Sequence, residues 1–324
     1  MKLSFKKRGR VLIGIIVFTV LLYTLFSTST EYEIFEIKSG MNARHVADII
    51  YQKDIIRFPR LFLLIFRLTG DAGEIQAGSY KIPVDINYIA LINKLTSGPN
   101  VFTKITIPEG YTTEQIAKQL KDKKIIKDKE YFVKWVEEKD LRGFLFPETY
   151  MFSENTPVTE ILTVMVEQFN NSFSIALASK SDSEKRLEQL GYTKKEIVAL
   201  ASLIEKEARV PEERPIISAT FHKRLEKNMY LESCASILFA LGEHRSRLIY
   251  RDLEVDSPYN TYRNSGLPPT PICNPGLESI KAALYPADTE YMFFFTRGDG
   301  SHIFSKTYEE HLERQRKFST IIDR

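Results

Sequence analysis

The chain has 324 residues, 43% of them hydrophobic and 27% charged, with two cysteines. This balance excludes a largely disordered, collagen-like or multi-span membrane protein, and two cysteines exclude a disulfide scaffold or a multi-cysteine zinc ribbon. The formal charge is +3, and its excess lies in residues 1–30, where Lys2, Lys6, Lys7, Arg8 and Arg10 meet no acid; the nearly neutral remainder gives no electrostatic reason to expect nucleic acid as a partner.

Val11–Phe26 (VLIGIIVFTVLLYTLF) is free of charge. With Ser27 and Thr28 it approaches the ~20 residues that span a bilayer. Basic residues precede it and Glu31 is the first charge after it, so the N-terminus is expected in the cytoplasm and the body outside. A cleaved signal peptide is the competing reading, but its apolar core is usually ~7–15 residues followed by an Ala-x-Ala-like site, which Ser27-Thr28-Ser29 matches poorly. The expectation is an uncleaved single-pass anchor at residues 11–26 in the cell (inner) membrane. Disulfides persist outside the cytoplasm, yet spacing alone does not pair Cys234 with Cys273, and two separate buried thiols are expected.

One internal repeat follows. Ile37-Lys38-Ser39-Gly40-Met41-Asn42 precedes Val46-Ala47 and Ile50; Ile107-Pro108-Glu109-Gly110-Tyr111-Thr112 precedes Ile116-Ala117 and Leu120. Each copy reads as a strand (Tyr32–Ile37, Phe102–Ile107), a glycine turn and a helix capped by Asn42 or Thr112. The pattern resembles the opening of LysM modules, which bind N-acetylglucosamine-containing glycans. Between the copies, Phe58–Leu68 predicts a buried helix, Gly78–Ile82 a short strand and Asn87–Leu95 another helix. Lys121–Glu130 reads as a solvated helix end and turn. Aromatic Gly143–Tyr150 reads as a junction between domains.

In the C-terminal half, Thr193 and Glu196 form a capping box, with Tyr192 placed to staple Ile197. The helix runs through EIVALASLIEKEA to Ala208 and is apolar enough to be buried. Glu205 and Glu207 flank its apolar stripe on opposite sides. A carboxylic acid at such a border is partly desolvated, which suits a general acid; pairing with Lys206, Arg209 or Arg214 at the surface is the plainer reading. Periodicity does not choose between the two glutamates. Ser257–Gly276 (SPYNTYRNSGLPPTPICNPG) has no helix or strand period. Its prolines stiffen a loop that carries Asn260, Tyr262, Asn264 and Asn274, groups suited to a carbohydrate-binding wall. Leu277–Leu284 predicts a helix, and Tyr291–Thr296 and His302–Phe304 the strands of a hairpin turning at Gly298-Asp299-Gly300. The histidines lack paired ligand spacing, so no metal or cofactor is expected.

LASLIEKEA (200–208), DSPYNTYRNSGLPPTPICNPGLESIKAALYP (256–286) and HIFSKTYEEH (302–311) resemble the signature blocks of the YceG-like endolytic murein transglycosylases, and the similarity covers nearly the whole chain. It implies an α+β protein: an anchor in residues 1–30, a LysM-like β/α region in 31–150, and a mixed α+β catalytic domain in 151–324. It implies that Glu205, the first glutamate of Ile204-Glu205-Lys206-Glu207, is the catalytic acid/base; Asn260, Tyr262, Asn264 and Asn274 are expected to bind substrate from the composition of their loop alone, for which an ordered structural loop is the equal alternative. Leu231–Gly242 also resembles the family, although Cys234-Ala235 stands where many members have Asp-Pro or Asp-Ala. The implied substrate is the peptidoglycan glycan strand, cut internally at the β-1,4 bond between N-acetylmuramic acid and N-acetylglucosamine to leave a 1,6-anhydro end. Peptidoglycan synthases (penicillin-binding proteins) are the implied protein partners. Two other readings stand beside it: a hydrolytic muramidase pairing Glu205 with an acid such as Asp256, and a membrane-tethered glycan-binding protein without catalysis.

Overall fold

The computed structural model describes residues 32–69, 75–84, 86–99, 102–180, 185–242 and 248–322. The anchor expected at 11–26 lies outside the described residues. Among the described residues no helix is long and apolar enough to cross a membrane. The protein is mixed α and β, with helices predominating and strands paired two by two. It divides into two compact units, one ending at Phe102 and one beginning at Thr103.

The first unit contains β1 (Tyr32–Ile37), α1 (Ala43–Gln52), α2 (Pro59–Leu68), β2 (Gly78–Pro83) and α3 (Tyr88–Ser97). β1 and β2 are antiparallel, with Tyr32 opposite Pro83 and Ile37 opposite Gly78. The turn after β1 needs Gly40, whose φ is +83°. Asn42 then accepts a bond from His45 N at 3.0 Å and caps α1. Phe35, Ile37, Val46, Ala47, Ile50, Phe62, Phe66, Tyr80 and Leu91 form the core.

The second unit opens with the same five elements: β3 (Phe102–Thr106), α4 (Thr113–Asp122), α5 (Lys129–Glu138), β4 (Thr149–Ser153) and α6 (Val158–Leu177). β3 pairs with β4. Thr112 and Gln115 complete a capping box. The core positions repeat as Ile105, Ile107, Ile116, Ala117, Leu120, Phe132, Val136, Tyr150 and Ile161. Tyr80 and Tyr150 each donate a hydroxyl bond of 2.6 Å to the carbonyl four residues upstream. The repeat is therefore a complete β–α–α–β–α unit, of which sequence comparison sees only the opening. Both predicted segments form strand–turn–helix. The second copy shares its compact unit with residues 151–324, so the division by role expected at 150 does not coincide with the division by packing. Gly143–Tyr150 lies inside this unit, joining α5 to β4.

Beyond α6 come α7 (Arg186–Leu190), α8 (Lys194–Glu207), α9 (Arg214–Glu226), α10 (Cys234–Leu241) and α11 (Leu277–Leu284), then a β5 (Phe293–Thr296) and β6 (His302–Ser305) hairpin and α12 (Tyr308–Ile322). α8 is the spine. Ile197 to Ile204 are all buried, and each of its large aliphatic side chains contributes about 1.5–3 kcal/mol by burial. Its capping box is formed as expected, with Glu196 Oε2 accepting Thr193 N at 2.8 Å. The second half of α6, through Phe169, Phe173 and Ala176, packs into the same core. Both cysteines are free thiols; Cys273 is buried as expected, but Cys234 is exposed, against the expectation of two buried thiols, because it opens α10.

Candidate active site

Glu205 lies in the last turn of α8, where the apolar stripe ends. The loop 257–276 is stitched to α8 one turn earlier. Ser202 Oγ accepts Ile272 N at 3.0 Å, and Cys273 Sγ donates to Ser202 O at 3.4 Å. Three residues further along both segments, Gly276 N donates to Glu205 Oε2 at 3.0 Å. The other carboxyl oxygen lies 4.0 Å from Arg214 Nη2, at the start of α9, and the Glu205 side chain is only 8% exposed. Arg214 is held by a 3.2 Å bond from its Nε to Ser279 Oγ. Gly276 also caps α11, so the N-terminal end of that helix dipole faces the carboxylate.

The third wall is the glycine turn of the second repeat copy. Gly110 N donates to Asn274 O, and Asn274 N to Tyr111 O, both at 2.9 Å. A β-carbon on Gly110 would come within 3.6 Å of Glu205 Cγ and 3.7 Å of Lys206 Nζ. A β-carbon on Gly276 would overlap the carboxyl of Glu109. Glu109 therefore packs on the backbone whose N–H holds Glu205. Although Glu109 is exposed at its outer edge, desolvation of the carboxyl packed on Gly276 raises its pKa above the usual carboxylate range, and the charge of Glu205 raises it further. Sequence reasoning quoted Glu109 only as part of the repeat. The available signal was the mismatch between copies, Ser39 in one and a carboxylate in the other.

Glu207 points elsewhere. It accepts bonds from Ser233 Oγ and from the backbone of Ala235. Ser233, the N-cap of α10, makes no side-chain cap bond of its own, so Glu207 satisfies that helix start from another element. Burial pushes its carboxyl pKa up. The two glutamates on opposite flanks thus have separate surroundings, Glu205 at the start of α11 and Glu207 at the start of α10.

The four expected binding residues also divide. Asn260 is fully buried. Its Nδ2 donates to Leu253 O at 2.9 Å and Val255 O at 2.8 Å, and its Oδ1 accepts Tyr262 N at 2.9 Å. Asn274 is 1% exposed. Its Nδ2 donates to Tyr111 O, and its Oδ1 accepts Leu145 N, each at 2.9 Å. Both amides frame the loop. Asn264 is exposed, and its Nδ2 donates to the carbonyls of Ser257 and Asn260. Tyr262 is half-buried, with its hydroxyl 3.2 Å from Cys234 Sγ. Gly143 closes the frame: its φ is +82°, and a β-carbon there would overlap Pro271 and approach Val198 to 3.1 Å. Asp256 is exposed; the carboxylate brought to Glu205 is Glu109.

Comparison with known proteins gives a match to the family model described as YceG-like over residues 35–317. A Bacillus subtilis (strain 168) protein named endolytic murein transglycosylase is 34% identical over 87% of this chain and 83% of its own length. A Streptococcus pneumoniae (R6) protein of the same name is 25% identical over 90% of this chain and 59% of its own. The crystal structure of a yceG-like protein from Listeria monocytogenes superposes with a TM-score of 0.56 at 31% identity, covering 88% of this chain and 99% of that one.

Proposed function

This chain belongs to the YceG-like family, and on that premise we propose that it is an endolytic murein transglycosylase with Glu205 as its acid/base. The observation that carries the reading is the enclosure of the Glu205 carboxyl. One oxygen is fixed by Gly276 N–H, and the other faces Arg214.

In the reaction, Glu205 protonates the β-1,4 oxygen between N-acetylmuramic acid and N-acetylglucosamine, and the carbon–oxygen bond breaks. The muramyl 6-hydroxyl attacks its own anomeric carbon and returns its proton to the Glu205 carboxylate. A 1,6-anhydromuramoyl end forms, no water is consumed, and the enzyme regains its starting protonation. Intramolecular attack supplies the proximity that a protein nucleophile supplies in a retaining glycosidase. Exposed Asn264 and half-buried Tyr262 line the sugar path, while Asn260 and Asn274 hold the loop. The repeat copies serve as LysM-like glycan contacts, and residues 11–26 anchor the protein with its N-terminus in the cytoplasm, near where synthases extrude new strands. Protease added to spheroplasts would then digest the body after residue 30; a protected body, or a mature N-terminus near residue 30, sinks the anchor.

Digestion of purified peptidoglycan read by mass spectrometry tests the chemistry. Glu205→Gln keeps the shape but carries no transferable proton, and loss of general acid–base assistance costs ~10²–10⁴-fold or more. Anhydromuropeptide release should vanish with folding and glycan binding intact, whereas Glu207→Gln, which still accepts from Ser233 and Ala235, keeps most activity. A product one water heavier would identify a hydrolytic muramidase, and binding without cleavage a glycan-binding protein. An active Glu205→Gln would overturn the site.

A further inference from the structure

We propose that Glu109 is a positioning residue for the proposed reaction, a second acid whose charge beside Glu205 helps to hold the cleavage proton there. The inference rests on the assignment of Glu205. Its basis is geometric: the Glu109 carboxyl packs on the α-carbon of Gly276, and the N–H of the same residue holds Glu205 Oε2 at 3.0 Å. Ordinary bond lengths then keep the two carboxyl groups within about 7 Å of each other.

Their surroundings differ. Glu109 is exposed on its turn, while the Glu205 side chain is almost covered. The charged groups facing Glu109 are Glu205 on α8, Arg214 on α9 and Glu278 on α11, with Lys206 beside the neighbouring Gly110. Arg214 is the balancing cation: it faces Glu205 Oε1 and lowers the charge penalty on Glu109. Desolvation and then the like charge of Glu205 raise the pKa of Glu109, with Glu278 adding to the effect and Arg214 opposing it. Cleavage needs a proton on Glu205 when the glycosidic oxygen leaves, and the charge of Glu109, once ionised, favours holding it there. Glu109 itself makes no bond to the sugar.

The turn carrying Glu109 is the repeat's own glycine turn, kept in register by Gly110 N to Asn274 O. Gly276, with φ −76°, has a backbone any residue adopts. Its lack of a side chain is explained by the close approach of Glu109.

The test is the pH profile of anhydromuropeptide release by the full chain. Glu109→Gln should leave cleavage near pH 5 close to normal and move the basic limb down by about one pH unit, the scale of a like charge at this distance in partly solvated surroundings. Above that limb the loss is roughly tenfold. Glu109→Asp should restore part of the limb. Gly276→Ala, which retains both acids and the N–H but displaces the flexible Glu109 side chain, should shift the limb in the same direction with an unchanged circular dichroism spectrum. An unmoved limb in Glu109→Gln, or an equal loss at every pH, would overturn the proposal. Release by Glu205→Gln would instead overturn the reading on which it rests.

Discussion

The two copies of the β–α–α–β–α unit share a frame and differ in what is attached to it. Seventy residues separate Ile37 from Ile107, Phe62 from Phe132 and Tyr80 from Tyr150, and all six are buried. Even the chain reversal after the first helix repeats, with φ +53° at Asp54 and +58° at Lys124. The first copy carries Ser39 before its turn glycine, and its third helix stops after ten residues, at Gly98. The second carries Glu109, and its third helix runs for twenty residues. The extension exists because Phe169, Phe173 and Ala176 find a second core around α8. A duplicated scaffold thus keeps its buried positions, where packing tolerates little change, and diverges at a turn and a helix end.

The largest test of that comparison is in the cores. Phe62→Ala and Phe132→Ala should each cost about 3–5 kcal/mol locally. Trp135, the single tryptophan, lies on α5 of the second copy. Its fluorescence transition in denaturant should move for Phe132→Ala and stay for Phe62→Ala, with circular dichroism showing an early partial loss in the latter. Cleavage should weaken only in the former. Identical shifts of one common transition would show that the two units unfold as one.

A smaller effect is expected at the caps. Asn42→Ala and Thr112→Ala each lose a helix N-cap, worth about 0.5–2 kcal/mol. Thr112 should cost less, because Gln115 Oε1 still accepts from the backbone N–H of residue 112 in the Ala variant, whereas α1 rests on the single Asn42 bond. Equal midpoint shifts would remove that distinction.

The smallest effect is at the paired tyrosines. Tyr150→Phe deletes the hydroxyl bond to Phe146 O, and Tyr80→Phe the hydroxyl shared between Gln76 O and Leu95 O, each worth about 0.5–1.5 kcal/mol at neutral pH. Burial raises both phenol pKa values, and Glu148 adds to the effect at Tyr150. A raised folded-state pKa means stability present below the unfolded value of about 10 and lost as pH rises beyond it. The wild-type advantage over each Phe variant should therefore shrink in melts above pH 10, most at Tyr150. An advantage that grows with pH would contradict the assigned burial.

Local signals were legible where neighbours in sequence are neighbours in space. The capping box at Thr193, the helix at Leu277–Leu284 and the β5–β6 hairpin stand where propensity and turn chemistry put them. The repeat was legible only through its opening, because a glycine turn and an apolar-Ala pair are strong local marks. Its second strand and third helix repeat burial, not residue identity, as Ile82 against Phe152 shows. The loop 257–276 is irregular, as its composition predicts, but composition does not reveal which amides face inward. Asn260 and Asn274 answer to backbone donors and acceptors, those of Asn274 more than a hundred residues away.

By itself the sequence determined the apolar helix ending in Glu205 and Glu207, the stiff loop and the two glycine turns, because helical period, proline and glycine act over a few residues. Only the tertiary structure decided that Glu205 meets Gly276, Arg214 and Glu109 while Glu207 turns away to the start of α10. The physical reason is that a helical wheel fixes the direction of a carboxyl but not what the rest of the chain packs against it. Those partners come from residues 109, 214 and 276, brought together by a core with no counterpart in local spacing.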